Sequence, residues 1–163
     1  MIHLVTGGSG SGKSAYAEQC ILDFGGTRRV YIATMQPFGA EGQARIARHR
    51  KMRAAKQFST IECYTNLKEV ELEPGSDVLL ECMSNLTANE IFDPSGAGKA
   101  RAEEEILAGV RLMQDAENIF LPSYDGLRLH GRLLQQPGAK GRRWNTSGSW
   151  ETLMYVWQRW RTV

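Results

Sequence analysis

The chain has 163 residues, 42% hydrophobic and 23% charged, with a formal net charge of +2. That is one domain's worth of chain with enough apolar material for a core, and no apolar run approaches the length of a membrane span. Three cysteines (Cys20, Cys63, Cys82), odd in number and far apart, exclude a disulfide scaffold and a CxxC metal knuckle and fit a reducing cytoplasm.

Ile2–Thr6 is a short apolar run bounded by glycine and reads as a buried strand. The N-terminus lacks a basic n-region and enters a glycine loop directly, unlike a signal peptide. That loop, Gly7-Gly8-Ser9-Gly10-Ser11-Gly12-Lys13-Ser14, satisfies G-x-x-x-x-G-K-[ST]. Ser14–Phe24 reads as the helix leading out of it, ended by Gly25-Gly26. Glycines let backbone N–H groups turn inward around phosphate oxygens, and the helix adds its positive end. Lys13 would reach the β- and γ-phosphates, and Ser14 would place a hydroxyl on Mg²⁺. The pattern by itself does not separate kinase, ATPase, GTPase or nucleotidyltransferase.

Val30–Ala33 is a second apolar strand, followed by a loop at Gln36–Gly39. Ala40–Lys56 is rich in helix formers. Within it, Arg45, His49 and Arg53 are spaced to share one helical face, with Arg48, Arg50 and Lys51 beside them. Only Ile46 and Met52 offer an apolar stripe there. Five positive charges around one histidine favour an anionic ligand and keep the imidazole neutral and nucleophilic. The competing reading is a solvated basic helix or a nucleic-acid patch.

Ser59–Cys63 and Val78–Cys82 are strand candidates, with loops at Glu73–Ser76 and Asp93–Gly98. Glu62 and Glu81 close these strands, where parallel sheets bind ligands and where phosphate-loop proteins hold a Mg²⁺-supporting carboxylate. Lys99–Asp115 is a helix with apolar positions at Ile106, Val110 and Met113, and Ile119–Leu121 begins another strand. Strands interleaved with helices predict an α/β fold with a mainly parallel sheet. His3 is expected to be a packing residue and Cys82 a small buried one; His130 receives no role.

Residues 1–120 carry 13 basic and 16 acidic side chains; residues 121–163 carry 7 and 2, and hold all four tryptophans (Trp144, Trp150, Trp157, Trp160). In this tail Trp150, Met154, Trp157 and Arg161 could form a helical stripe.

Gly7–Ser14 after Leu4-Val5-Thr6, then Tyr31-Ile32-Ala33-Thr34, Arg45-Ile46-x-x-His49, Glu62-Cys63 and Leu79-Leu80-Glu81-Cys82 occur in that order. The set resembles the bifunctional adenosylcobinamide kinase / adenosylcobinamide-phosphate guanylyltransferase family of cobalamin biosynthesis, through about residue 120. The resemblance implies a phosphate-loop fold of the RecA-like kind. It implies phosphorylation of adenosylcobinamide by ATP or GTP, then transfer of GMP from GTP to that phosphate through a guanylyl-histidine at His49. Lys13 would assist catalysis. Nucleotide contacts would come from Gly7, Gly8, Ser9, Gly10, Ser11, Gly12, Lys13, Ser14, Ala33, Thr34, Met35, Arg50, Lys51, Met52, Arg53, Glu62 and Glu81, with Mg²⁺ near Ser14 and Glu81. Such proteins form trimers, so the resemblance implies a homo-oligomer; no nucleic-acid partner and no membrane span are expected from the sequence.

The family continues past this point with a strand ending in a Thr-Asn-Glu type motif, but here the chain reads Leu121-Pro122-Ser123-Tyr124-Asp125. The expected division is a nucleotide-binding domain over 1–120 and a divergent tail over 121–163, read out of frame. Two other functions stay open: another small-molecule phosphate-loop kinase, and a nucleotide-dependent nucleic-acid binder without turnover. The acidic balance of residues 1–120 weighs against the latter.

Overall fold

The computed structural model describes residues 1–152 apart from 9, 38, 124–128, 136–138 and 145–149. In chain order its elements are β1 (Ile2–Thr6), α1 (Lys13–Phe24), β2 (Arg29–Ala33), α2 (Gly39–Ala54), β3 (Phe58–Glu62) and β4 (Asp77–Leu80). They continue as α3 (Met83–Phe92), α4 (Ala102–Leu112), β5 (Asn118–Ser123), α5 (Leu129–Leu134), β6 (Ala139–Trp144) and β7 (Trp150–Thr152), with short 3₁₀ turns at Leu67–Glu69 and Met113–Asp115. The described strands form one sheet in the order β3-β2-β4-β5-β1-β6-β7. Every pairing is parallel except the antiparallel β6–β7 edge.

The register explains the two cores. Ile2 pairs with Ile119, Ile119 with Val78 and Val78 with Val30, so these side chains share one face. They pack with Leu4, Ile32, Leu80 and Leu121 against Met83 and Leu86 of α3, Ile106, Leu107 and Val110 of α4, and Leu129 and Leu133 of α5. The alternate residues Val5, Tyr31, Leu79 and Phe120 face the other way, onto Ala17 and Ile21 of α1. Apolar side chains on both faces are the mark of a covered parallel sheet. Gly109 in α4 is required by contact, because a Cβ there would lie 2.7 Å from Leu67 Cβ. The missing side chain lets α4 close onto the Leu67–Glu69 turn.

The α/β class and mainly parallel sheet agree with the sequence. The sequence reading has no helix between Cys82 and Lys99, whereas the structure has α3 there. Its inward stripe is Met83, Leu86 and Glu90, and a buried glutamate breaks the apolar period that would have revealed it. Cys82 is half-buried at the N-terminal boundary of α3 rather than the last residue of a strand. Trp150 lies in β7, not in a helix, because it pairs with Trp144 across the antiparallel edge; Met154, Trp157 and Arg161 lie outside the described residues. β5 crosses residue 120, and β6 beyond it pairs with β1. No helix among the described residues is long and apolar enough to cross a membrane.

His3 packs as expected, stacking on Phe120 with ring centroids 4.3 Å apart. Its Nε2 lies 3.1 Å from Asn118 Oδ1. The Asn118 amide nitrogen donates to Asp77 Oδ1 at 2.9 Å, so the imidazole nitrogen must be the donor in the first bond. Burial holds the His3 pKa below its ordinary value; the Asn118 bond opposes this, and the N-terminal ammonium, Lys140 and Arg142 add to it. The native state therefore prefers neutral His3. Stability is complete above the unfolded-state pKa of about 6.5 and falls as pH drops through it toward the lower folded value. Chemical denaturation between pH 7.5 and 5 should show this loss in the wild type and a shallower one in His3→Gln.

Candidate nucleotide site

The phosphate loop leaves the C-terminal end of β1 and enters α1 through Gly12, which adopts the left-handed region (φ 83°) at the helix boundary. No side chain caps this end of α1 and no acid occupies its first turn, so nothing there competes with an anion for the first N–H groups. Lys13 is 8% exposed, and its Nζ donates to the Gly8 carbonyl at 2.9 Å. The ammonium thus lies folded over its own loop. Ser14 is exposed in the first turn, and Ser9 lies outside the described residues.

A second group of candidates gathers at the same edge of the sheet. Ala33, Met35, Ile46, Arg50, Arg53, Thr60, Glu62, Tyr64 and Glu81 line a narrow cleft at the ends of β2, β3 and β4. Neighbouring strands are about 4.8 Å apart, so the β4 end lies about 10 Å and the β3 end about 19 Å from that of β1. The sequence candidates therefore fall into a phosphate lobe and a cleft lobe along one edge of the sheet, with β5 between β4 and β1.

Glu81 shapes the cleft. It follows β4 directly, and its N–H donates to the Ile32 carbonyl at 2.9 Å. Its Oε2 accepts the N–H groups of both Thr34 and Met35 at 3.0 Å. The turn after β2 is tied down further. Thr34 Oγ1 donates to the Cys82 carbonyl at 3.2 Å, Asn89 Nδ2 donates to the Thr34 carbonyl at 2.8 Å, and Gln36 Nε2 donates to Asp93 Oδ2 at 2.6 Å. Asp93 is held below the usual carboxylate range by its bonds to Ser95 first and to Gln36 after.

The mouth is held more weakly. Arg50 pairs with Glu62 Oε1, both half or nearly half exposed, and Tyr64 Oη donates to Glu62 Oε2 at 3.0 Å. Exposed pairs of this kind contribute about 0–1 kcal/mol, so a ligand can open them at little cost. Among the described side chains of α2, Ile46 and Arg53 turn inward while Gln43, Ala44, Ala47, Arg50, Lys51 and Ala54 stay exposed. Backbone position 49 lies three residues after Ile46 and four before Arg53, hence on the same helical stripe. The side chains of His49 and Met52 lie outside the described residues, as does that of His130.

Sequence reasoning missed Tyr64, Thr60 and the buried Tyr31 beneath the cleft. Tyr64 carries no motif, and Tyr31 reads simply as one aromatic in an apolar strand. Cys63 Sγ donates to the Thr65 carbonyl. Its thiol is pushed up to about 11 by burial, with Glu90 and Glu69 adding to it, so it is a poor nucleophile beside the site.

A family model for cobinamide kinase / cobinamide phosphate guanyltransferase matches residues 3–121, and the chain belongs to that family. The bifunctional adenosylcobalamin biosynthesis protein CobU of Escherichia coli is 40% identical over 99 residues, covering 59% of this chain and 53% of that protein. Its namesake from Salmonella typhimurium is 39% identical over the same length. The chain thus spans about half the length of these curated relatives. A KaiC-like protein from Pyrococcus horikoshii superposes with a TM-score of 0.54 at 13% identity, over 93% of this chain and 74% of that one. The fold is the RecA-like phosphate-loop fold.

Proposed function

We propose that this member of the cobinamide kinase / cobinamide phosphate guanyltransferase family carries out both reactions of its namesakes. The first transfers the γ-phosphoryl group of ATP or GTP to the aminopropanol hydroxyl of adenosylcobinamide. In the second, a His49 ring nitrogen attacks the α-phosphorus of GTP, a P–N bond forms, and pyrophosphate leaves. The adenosylcobinamide phosphate oxygen then attacks the same phosphorus, the P–N bond breaks, and adenosylcobinamide-GDP is released with His49 restored. Passing through histidine divides one difficult transfer into two easier displacements.

The observation that carries this reading is the joint placement of the two lobes. A phosphate loop with Lys13 and a cleft lined by Arg50, Arg53, Glu62 and Glu81 open at one edge of the sheet. Backbone position 49 shares the stripe of Ile46 and Arg53, both of which line that cleft. Arginines beside a transferring phosphoryl group offset the charge that develops there. In this reading the nucleotide contacts are Gly7–Ser14, Ala33–Met35, Arg50–Arg53, Glu62 and Glu81.

Mg²⁺, when bound, would neutralise phosphate charge. It takes few protein ligands and keeps waters and phosphate oxygens for the rest. The exposed Ser14 hydroxyl and the Glu81 carboxylate suit that role. Among the described residues no group of three or more His, Cys, Asp or Glu forms a dedicated metal cage. A cytoplasmic trimer that engages no nucleic acid completes the proposal.

The tail belongs to the same proposal. The family match stops at residue 121; beyond it the charge balance reverses, and all four tryptophans lie within residues 144–160. Residues 121–163 are read as out of frame with the family's coding sequence. Resequencing the gene should reveal a single shift near codon 121 that restores a continuous match; an intact frame, with independent homologues sharing the tail, would overturn this.

The reaction itself is tested with α-labelled GTP and Mg²⁺. The chain should acquire a label that is acid-labile and base-stable, and His49→Ala should lose at least about nine-tenths of it. An unlabelled wild type, or equal labelling of His49→Ala, would contradict the histidine route.

A further inference from the structure

Tyr31 and Arg53 form a stack that none of the assigned roles explains. The tyrosine sits in β2 and is 6% exposed; the arginine comes from α2 and is 4% exposed. The Arg53 guanidinium carbon lies 3.3 Å from the centre of the Tyr31 ring. Arg53 lines the cleft, but Tyr31 stands behind it. Arginine is suited to this arrangement because its planar cation lies flat on the π-face. Stacking engages that face and leaves the in-plane N–H donors directed away from the ring.

The same phenol meets the other wall of the cleft. Burial first, and then the Glu81 carboxylate, hold its hydroxyl well above the ordinary range, while Arg53 pulls the other way. The hydroxyl therefore stays protonated beside Glu81, the residue whose Oε2 fixes Thr34 and Met35. A buried cation needs nearby compensation. Here the π-face supplies part of it, beside the Glu62 and Glu81 carboxylates that line the same cleft.

We propose that Tyr31 is a positioning residue whose ring seats the Arg53 guanidinium in the cleft wall for a phosphate of the bound guanine nucleotide. The inference rests on the proposed function, since it takes that nucleotide as the ligand. Tyr31 itself touches no substrate and acts through Arg53.

A double-mutant cycle tests this on the full chain, with GTP and Mg²⁺ titrated calorimetrically. Tyr31→Leu should weaken GTP binding about fivefold to twentyfold, and less than about twofold when Arg53→Ala is already present. Tyr31→Phe keeps the π-face and should stay within about twofold of wild type. Arg53→Lys keeps the charge but loses the planar stack. It should bind at least about fivefold more weakly, which provides a reading if Tyr31→Leu does not fold. Equal losses for Tyr31→Leu in both backgrounds, a Tyr31→Phe loss as large as that of Tyr31→Leu, or unchanged binding by Arg53→Lys would each overturn the positioning role. A wild type that binds no GTP would instead bring down the proposed function, and this inference with it.

Discussion

One carboxylate oxygen sets the shape of the crevice. Glu81 Oε2 accepts two successive backbone N–H groups, from Thr34 and Met35, at the point where β2 gives way to the segment leading into α2. Hydrogen bonds to an ionised acceptor contribute about 1.5–3 kcal/mol each. They couple the ends of two adjacent parallel strands where such sheets bind ligands. From the side of α3, Asn89 and Asp93 hold the same segment through the Thr34 carbonyl and the Gln36 amide. The cleft wall is thus in place before any ligand arrives, which lowers the ordering cost of binding.

Rigid and labile contacts are distributed unevenly around the site. The floor rests on buried partners: Tyr31, Arg53, Thr34 and the strand residues beneath them. The rim rests on the exposed Arg50–Glu62 pair and the Tyr64 hydroxyl. In the phosphate lobe, Lys13 occupies itself with the Gly8 carbonyl, an internal bond that a phosphate oxygen can replace with a stronger charge-assisted one. The contacts at the rim and in the phosphate lobe are thus weak or internal, while those beneath the cleft are buried.

The parts of the molecule legible in sequence were those with local signals. Ile2–Thr6, the glycine loop and the helix after it form a strand–loop–helix unit whose residue types each have a steric or electrostatic reason. The two-sided apolar strands at Val30–Ala33 and around Val78 announce a covered parallel sheet for the same reason. Helix α3 was hidden because its buried stripe includes Glu90, whose carboxylate is satisfied by the backbone N–H groups of Asn66 and Ala97. Such a residue reads as surface until its distant partners are known. Tyr31 was invisible as a site residue for a related reason: Glu81 is brought near it by strand order and Arg53 by the packing of α2, while Tyr64 carries no motif although its partner Glu62 lies only two residues away. Glu81 was legible as a carboxylate at a strand end, but its hold on the Thr34–Met35 turn was not, since that depends on β2 lying beside β4.

Amide hydrogen exchange at Thr34 and Met35 bears on this arrangement most directly. In the free wild-type protein both amides should be protected. In Glu81→Ala both should exchange about tenfold to a thousandfold faster, with Glu81→Gln in between, because each loses a charged acceptor rather than a place in the sheet. Unchanged protection of the two amides in Glu81→Ala would contradict a crevice held by that carboxylate.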